Sequence, residues 1–141
     1  MPDPMTANDL VAALLKLVGD GRVNETRTLL QQAPALVNAV GPHPFWGGRP
    51  QPLHVAIETG RREMFDLLLD AGADINDHNQ NGHWGTTPLH AAAHGDQRAV
   101  AELLIDRGAD IHAKNLHGRT PLEETTIHNA RSVAKLLDAA S

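Results

Sequence analysis

Apolar residues recur along this chain in a register that repeats every 33 to 36 residues. A leucine pair follows 15 residues after the proline that begins each of three similar segments. The prolines are Pro52, Pro88 and Pro121, and the leucine pairs are Leu67-Leu68, Leu103-Leu104 and Leu136-Leu137. Two segments close on the same four residues, Gly-Ala-Asp-Ile, at 72–75 and 108–111. A fixed period of this length predicts a repeat architecture in which each segment is one structural unit.

Each segment predicts two short antiparallel helices. Threonine followed by proline favours helix starts at Thr87 and Thr120, because threonine accepts a hydrogen bond from a free backbone N–H and proline has none. Gln51 replaces the threonine in the first segment, so the predicted start is weaker there. Each second helix carries an apolar face and is predicted to end at a C-cap glycine, Gly72 or Gly108.

The turn within each helix pair needs a residue that tolerates the left-handed backbone conformation. Gly60 and Asn129 satisfy this need at equivalent positions. In the segment between them, Gly95 comes one position early and Asp96 takes the turn position. The pattern therefore predicts this turn less strongly than the other two.

The pattern resembles the ankyrin repeat, whose motif is carried here by Thr-Pro-Leu-His-Ala-Ala-Ala at 87–93 and by the two Gly-Ala-Asp-Ile stretches. The resemblance implies an all-α fold, a solenoid of stacked antiparallel helix pairs joined by protruding hairpin loops. It extends over a single domain, 1–141, with repeats at about residues 6–40, 41–77, 78–113 and 114–141. The first of these is degenerate, because it lacks the Thr-Pro-Leu-His start.

The last repeat places Glu-Glu-Thr-Thr, at 123–126, where the inner repeats carry histidine and small apolar residues. Terminal repeats need polar outer faces for solubility. We therefore expect these residues to form a solvated end face and the array to be complete at four repeats.

Two of the hairpins are enlarged. The separations from Val37, Ile75 and Ile111 to the next proline are 15, 13 and 10 residues, and the family spacing resembles the last. The enlarged hairpins contain three of the four aromatic residues of the chain. Because tryptophan and arginine are enriched at binding hot spots, we predict that the main contact site consists of Phe45, Trp46, Arg49, His83 and Trp84. The alternative is that the two tryptophans pack against each other and brace the loops.

Composition excludes several classes of function. The net charge of −5 is too acidic for the broad basic field of a nucleic-acid-binding protein. No apolar run is long enough to span a membrane, and the N-terminus has no secretory signal, so we expect a cytoplasmic, monomeric protein. The absence of cysteine suits a reducing compartment. Abundant alanine and more arginine than lysine hint at a GC-rich bacterial genome.

Catalytic motifs are absent from the sequence. It has no glycine-rich phosphate loop, no His-Glu-x-x-His and no Gly-x-Ser-x-Gly, and its only serines are Ser132 and Ser141. We therefore expect no enzymatic activity and no cofactor.

Histidine is abundant, with nine residues. His54 and His90 occupy the motif position, where an imidazole near a helix start can tie neighbouring hairpin backbones together. His90 and His94 are four residues apart, a spacing that can chelate a transition metal. Because no third ligand is identifiable, we expect no metal site.

The remaining candidates come from the resemblance. In ankyrin-like modules the recognition surface comprises the hairpin tips and the solvent side of the first helix. Alignment with that pattern places the following residues there: His78, His83, Trp84, His94, Lys114, His117, Arg119 and His128. A groove rich in imidazole would change charge between about pH 5 and 7, and the affinity for a partner would then shift with a sign set by the partner's charge. The alternative is that these are ordinary exposed polar residues.

The leading hypothesis is a module that binds a partner protein through its hairpin tips and concave groove. One rival is a receptor for a small ligand or a metal, in which the two His- and Trp-rich enlarged loops close over the groove. A third, ranked last, is an enzyme that uses histidine as a base. The step from the repeat to a protein partner is made by family analogy.

Overall fold

A computed structural model of the protein describes residues 6–41, 50–59, 61–78 and 86–141. Within these ranges the chain forms α-helices, one short 3-10 helix at Pro34–Asn38 and no β-strand. The α-helices are α1 (Ala7–Asp20), α2 (Val23–Gln32), α3 (Pro52–Thr59), α4 (Arg62–Asp70), α5 (Pro88–His94), α6 (Arg98–Asp106), α7 (Pro121–Ile127) and α8 (Arg131–Ala140). The prediction of an all-α fold of paired short helices is confirmed.

The chain divides into two compact units, one ending at Ala73 and the other running from Asp74 to Ser141. In the first unit α1 packs on α3 and α2 packs on α4, so the first helices form one layer and the second helices form another. Apolar side chains that are at most 1% exposed fill the space between these layers, among them Leu14, Leu15, Ile57, Phe65 and Leu68. The apolar stripes seen in the sequence therefore form a helix-on-helix core.

The second unit repeats this arrangement. α5 packs on α7, and α6 packs on α8. Leu89, Ala92, Leu104, Val133 and Leu137 are almost fully buried between them. In each leucine pair the second member, Leu68, Leu104 or Leu137, is the buried one.

Threonine opens α5 and α7 as predicted. The hydroxyl of Thr87 accepts from the backbone N–H of His90, and that of Thr120 accepts from the N–H of Glu123. The side chains of His90 and Glu123 in turn accept a hydrogen bond from the backbone N–H of the capping threonine, which completes a capping box. Thr6 opens α1 in the same way, a start that the repeat pattern did not predict.

The turns within the second unit adopt the left-handed conformation. Asp96 has φ 49° and Asn129 has φ 54°. The Asp96 turn is also tied to the next helix pair, because its carboxylate Oδ1 accepts from the backbone N–H of Val133 at 3.1 Å. The early Gly95 thus leaves the turn intact. Gly60, the third predicted turn residue, lies outside the described residues.

Each of the two glycines predicted as a C-cap follows the observed C-cap residue by one position. α4 and α6 end at Asp70 and Asp106, and their C-caps are Ala71 and Arg107. Gly72 and Gly108 follow, with φ of 103° and 90°. Glycine has no Cβ to clash in this conformation, so it reverses the chain there at little cost.

The predicted solvated end face is wrong for half of its residues. Glu123 and Thr126 are exposed, whereas Glu124 is 5% exposed and Thr125 is 2% exposed. The reason is the packing of α7 between α5 and α8, which encloses the face that carries these two side chains. The buried carboxylate of Glu124 consequently needs hydrogen-bond donors from within the protein.

Candidate functional site

The hairpin before α7 is a tight, hydrogen-bonded loop. The backbone N–H of Asn115 donates to the carbonyl oxygen of Arg119 at 3.0 Å, and the N–H of Gly118 donates to the carbonyl oxygen of Asn115 at 2.9 Å. The buried side-chain oxygen of Asn115 accepts from the N–H groups of His117 and Arg119. Gly118 has φ 72°, which allows the chain to turn between them. The side chains on this loop therefore project from an ordered backbone.

His90 fixes the same hairpin from α5. Its Nδ1 accepts from the backbone N–H of Thr87 at 3.2 Å, so the ring proton lies on Nε2, which donates to the carbonyl oxygen of Arg119 at 2.8 Å. Burial lowers the pKa of His90 by disfavouring the charged ring, and this outweighs the opposing effects of the Arg119 carbonyl and the Glu124 charge. His90 is thus a buried neutral imidazole, and its predicted structural role is confirmed.

Glu124 is the centre of a group of polar side chains. Its Oε1 accepts from the Asn115 side-chain amide at 2.8 Å and from Arg119 Nη1 at 3.4 Å. Its Oε2 lies 3.2 Å from His128 Nε2, one helical turn along α7. We call these residues and His94 the Glu124 cluster: His94, Asn115, Arg119, Glu124 and His128.

The pKa of Glu124 is lowered from its ordinary value. Burial of the carboxylate acts in the opposite direction, but the hydrogen bonds from Asn115 and Arg119 and the charges of Arg119 and His128 together outweigh it. The side chain is therefore a carboxylate at neutral pH, and Arg119 balances its charge.

The rings of His94 and His128 pack edge to face, and His128 also contacts the Glu124 carboxylate. Their ring centroids are 4.1 Å apart, and His94 Nδ1 lies 3.1 Å from His128 Nε2. A proton on His128 Nε2 can be donated towards both Glu124 and His94, because both offer lone pairs at hydrogen-bond distance. The rings of His94 and His128, which we call the imidazole pair, thus extend from the buried carboxylate to the exposed end of α5, where His94 lies.

The structure brings some of the predicted binding residues together. Arg119 and His128 contact the same carboxylate, and His94 contacts His128. Lys114 and His117 are exposed on the hairpin that carries Arg119. His78 is half-buried in the preceding hairpin and lies outside the Glu124 cluster.

The remaining predicted contact residues, Phe45, Trp46, Arg49, His83 and Trp84, lie outside the described residues. Glu124 and Asn115 were missed by the sequence reasoning. The one signal available was the spacing of Glu124 and His128, four residues apart on a predicted helix, which places their side chains on one face.

The rival chemistries have less support among the described residues. Both ring nitrogens of His90 are engaged, so His90 and His94 do not form the metal-chelating pair that their spacing allows. Among the residues that the structure describes, no group of three His, Asp or Glu side chains could hold a metal ion. An open apolar groove lies between α1 and α2, among Leu17, Asn24, Glu25, Thr28, Leu29 and Gln32, none of which is a predicted binding residue.

Within each unit, paired helices packed in two layers define a helical-repeat protein. A family model described as "Ankyrin repeats (3 copies)" matches residues 53–140, and the chain belongs to the ankyrin-repeat family. Ankyrin repeats are protein-interaction modules. Among the helices that the structure describes, none combines the length and the apolar character needed to cross a membrane.

Several plant proteins are similar to part of the chain. Probable E3 ubiquitin-protein ligase XBOS32 of Oryza sativa subsp. japonica is 35% identical over 82 residues, which cover 50% of this chain and 16% of that protein. The rice protein XBOS33, also named as a probable E3 ubiquitin-protein ligase, is 38% identical over 82 residues, covering 50% of this chain and 15% of that protein. E3 ubiquitin-protein ligase XBAT33 of Arabidopsis thaliana is 36% identical over 69 residues, 49% of this chain and 13% of that protein. The similarity thus concerns a small part of these ligases.

Proposed function

We propose that this protein is a non-catalytic module that holds a partner protein through its hairpin tips and its concave groove. Membership of a family of interaction modules supports the class of function. The names of the relatives describe ubiquitin-protein ligases. We assign no ligase activity to this chain, because the matched regions make up at most 16% of the length of those proteins.

The observation that carries the proposal is the way Arg119 is held. His90 fixes its backbone carbonyl and Glu124 contacts its guanidinium group, yet 38% of the side chain is exposed. An arginine that is already ordered loses less conformational entropy when a partner binds, which favours its use as a contact residue.

The enlarged hairpins complete the proposed surface, with Phe45, Trp46, Arg49, His83 and Trp84 as the main contact residues. In support, a tryptophan side chain offers a large, rigid contact area, and the sequence pattern assigns both tryptophans to the enlarged hairpins. We also propose that the protein is a cytoplasmic monomer, in keeping with a chain that has no cysteine. The bacterial origin suggested by the composition stays a prediction, and the relatives reported above are plant proteins.

The test is affinity capture from a lysate of the source organism, comparing wild type with the double variant Trp46→Ala/Trp84→Ala. We expect the double variant to lose a specific protein that wild type captures, with little change in the unfolding midpoint. Arg27→Ala, on the exposed side of α2, is the control and should capture like wild type.

Two outcomes would contradict the proposal. If capture survives in the double variant while its free energy of unfolding falls by several kcal/mol, the tryptophans brace the loops and the contact site lies elsewhere. If native mass spectrometry shows a metal or a metabolite bound in place of a protein, the receptor hypothesis is favoured.

A further inference from the structure

The hairpin before α7 is basic, although the protein as a whole is acidic. The chain has a net charge of −5, but the stretch 112–119, His-Ala-Lys-Asn-Leu-His-Gly-Arg, contains two basic residues, two histidines and no acid. The stretch 86–95, which includes α5, also has no acid. These two stretches therefore repel an anionic partner less than the acidic chain does on average.

Two carboxylates next to this region accept hydrogen bonds from within the protein. Glu124 is 5% exposed and accepts hydrogen bonds from Asn115 and Arg119. Glu123 is exposed, and its Oε1 accepts from the backbone N–H and the hydroxyl of Thr120. Arg119 neutralises one buried charge, so any proton added to the imidazole pair gives the Glu124 cluster a net positive charge.

The contact between His94 Nδ1 and His128 Nε2 has room for hydrogen on only one of the two facing nitrogens. With one extra proton, the charged His128 ring still donates from Nε2 towards the Glu124 carboxylate, and His94 Nδ1 still accepts. With two extra protons, both nitrogens of the 3.1 Å contact would carry hydrogen and the two positive rings would repel. An approaching anion would therefore favour the singly protonated pair.

The other charged groups on the surrounding elements have partners of their own. Asp96, after α5, accepts from Val133, and Arg98 on α6 pairs with Glu102 at 3.0 Å. Arg131 at the start of α8 donates to the Asn129 side chain. None of these three contacts involves His94, His128 or Glu124.

Apolar side chains are exposed in the same repeat. Among the large apolar residues in the described ranges, those that are exposed are Leu116, at 74%, and Ile127, at 54%. Leu116 lies on the hairpin with Lys114 and Arg119, and Ile127 precedes His128 at the end of α7. An exposed apolar residue beside positive groups fits a peptide that presents apolar and acidic side chains together.

We propose that the surface formed by Leu116, Arg119, Ile127, His128 and His94 binds an acidic segment of the partner protein that also carries aliphatic residues, and that the imidazole pair takes up a proton as a carboxylate of this segment binds. This inference rests on the proposed function and specifies the chemistry of its partner. A polypeptide is favoured over a nucleic acid because the chain as a whole is acidic and would repel a long polyanion.

The test is a random peptide library displayed on phage and selected on the whole protein at about pH 6, below the ordinary imidazole pKa of about 6.5. We expect the recovered peptides to be enriched in Asp and Glu together with Leu, Ile or Val, relative to the unselected library. The variant Arg119→Gln should lose the acidic enrichment, whereas Lys135→Gln, on α8, should retain it. Circular dichroism establishes that both variants are folded.

Calorimetry with one recovered peptide then tests the proton. Replacing its Asp and Glu by Asn and Gln should weaken binding by about tenfold or more, as expected for loss of a charge-assisted hydrogen bond. Titration in two buffers of different ionisation enthalpy should show uptake of up to about one proton per peptide, and His128→Gln should abolish it. Affinity for the acidic peptide should fall as the pH rises from about 5.5 to about 7.5.

The inference is overturned if the selected peptides show no acidic enrichment, if no peptide is recovered, or if the neutral peptide binds as tightly as the acidic one. Binding without proton uptake, or binding that requires zinc and is lost with EDTA, also overturns it. Tighter binding of single-stranded oligothymidylate than of the acidic peptide would assign the surface to nucleic acid. Any of these results, combined with lysate capture that depends on Trp46 and Trp84, would leave the proposed function intact.

Discussion

His128 Nε2 and Glu124 Oε2 lie 3.2 Å apart on one face of α7, and the carboxylate is almost completely buried. This contact links a group in the protein interior to a ring that reaches the surface. Asn115 and Arg119 hold the other carboxylate oxygen, so the hairpin and the helix are joined through one side chain.

Glu124→Gln should lower the free energy of unfolding at pH 7 by about 1–3 kcal/mol, because it removes a buried charged acceptor from its donors. Glu123→Gln is the matched control, since glutamine also completes a capping box, and it should change stability by less than about 0.5 kcal/mol. Urea titration of both variants measures the difference. Equal losses at the two positions would show that the burial of Glu124 contributes nothing specific.

The same residue gives the protein an acid-sensitive stability. Because the pKa of Glu124 is lower in the folded protein than its ordinary value of 4.5, its contribution is present above pH 4.5 and is lost as the pH falls through the folded value. The stability difference between wild type and Glu124→Gln should therefore shrink below pH 4.5. Urea midpoints of both proteins across this range test the trend, and a constant difference would contradict it.

His90 should make stability depend on pH in a higher range. The unfolded ring takes up a proton near its ordinary pKa of 6.5, whereas burial keeps the pKa of the folded ring lower. The stability due to this effect is complete above pH 6.5 and falls as the pH drops towards the folded value. His90→Gln should lose stability at neutral pH and should also show a smaller further loss on acidification.

The control for this prediction is His112→Gln, at an exposed hairpin position. It should retain the pH dependence of wild type. Urea midpoints at several pH values between about 7.5 and 5 provide the comparison, since an ordinary histidine titrates in this interval. A His90→Gln protein whose midpoint falls as steeply as that of wild type would show that another group causes the dependence.

Core leucines should dominate the stability of each unit. Leu68 and Leu104 are fully buried, and replacing either by alanine should cost about 2–5 kcal/mol through lost contacts and a cavity. Leu116→Ala is the matched control, because Leu116 is 74% exposed, and it should cost less than about 0.5 kcal/mol. Chemical denaturation measures all three, and similar losses at Leu104 and Leu116 would be inconsistent with the packing described.

The two non-glycine turn residues should respond differently to glycine. Both residues have positive φ. The Asp96 side chain accepts a hydrogen bond from the backbone N–H of Val133, a buried residue, whereas Asn129 lies on the surface. Asn129→Gly should be neutral or stabilise by up to about 1 kcal/mol by relieving backbone strain. Asp96→Gly should destabilise by about 1 kcal/mol, since losing the charged acceptor of the Val133 N–H costs more than the relief of strain returns.

Thermal melts of the two glycine variants test this difference. Asn129→Ala provides the complementary control, because alanine has a Cβ without the local hydrogen bonds that help asparagine tolerate this conformation. It should melt below wild type. A stabilised Asp96→Gly protein would indicate that the bond to Val133 contributes little.

The sequence alone determined the local features of this protein. Helix starts at Thr87 and Thr120, the left-handed turn at Asn129 and the apolar face of each second helix all depend on residues within a few positions of one another. Hydrogen-bonding side chains, backbone freedom and apolar spacing are properties of the local chain, so they can be predicted without a structure.

Only the tertiary structure decided how the polar residues meet. His94 and His128 are 34 residues apart, and their contact requires α5 to pack on α7 with one particular offset. Glu124 is polar by sequence, and it is buried because the hairpin at 115–119 and the neighbouring helices enclose it and supply its donors. Burial and contacts between distant residues depend on how helices pack, and the identity of a side chain does not specify that arrangement.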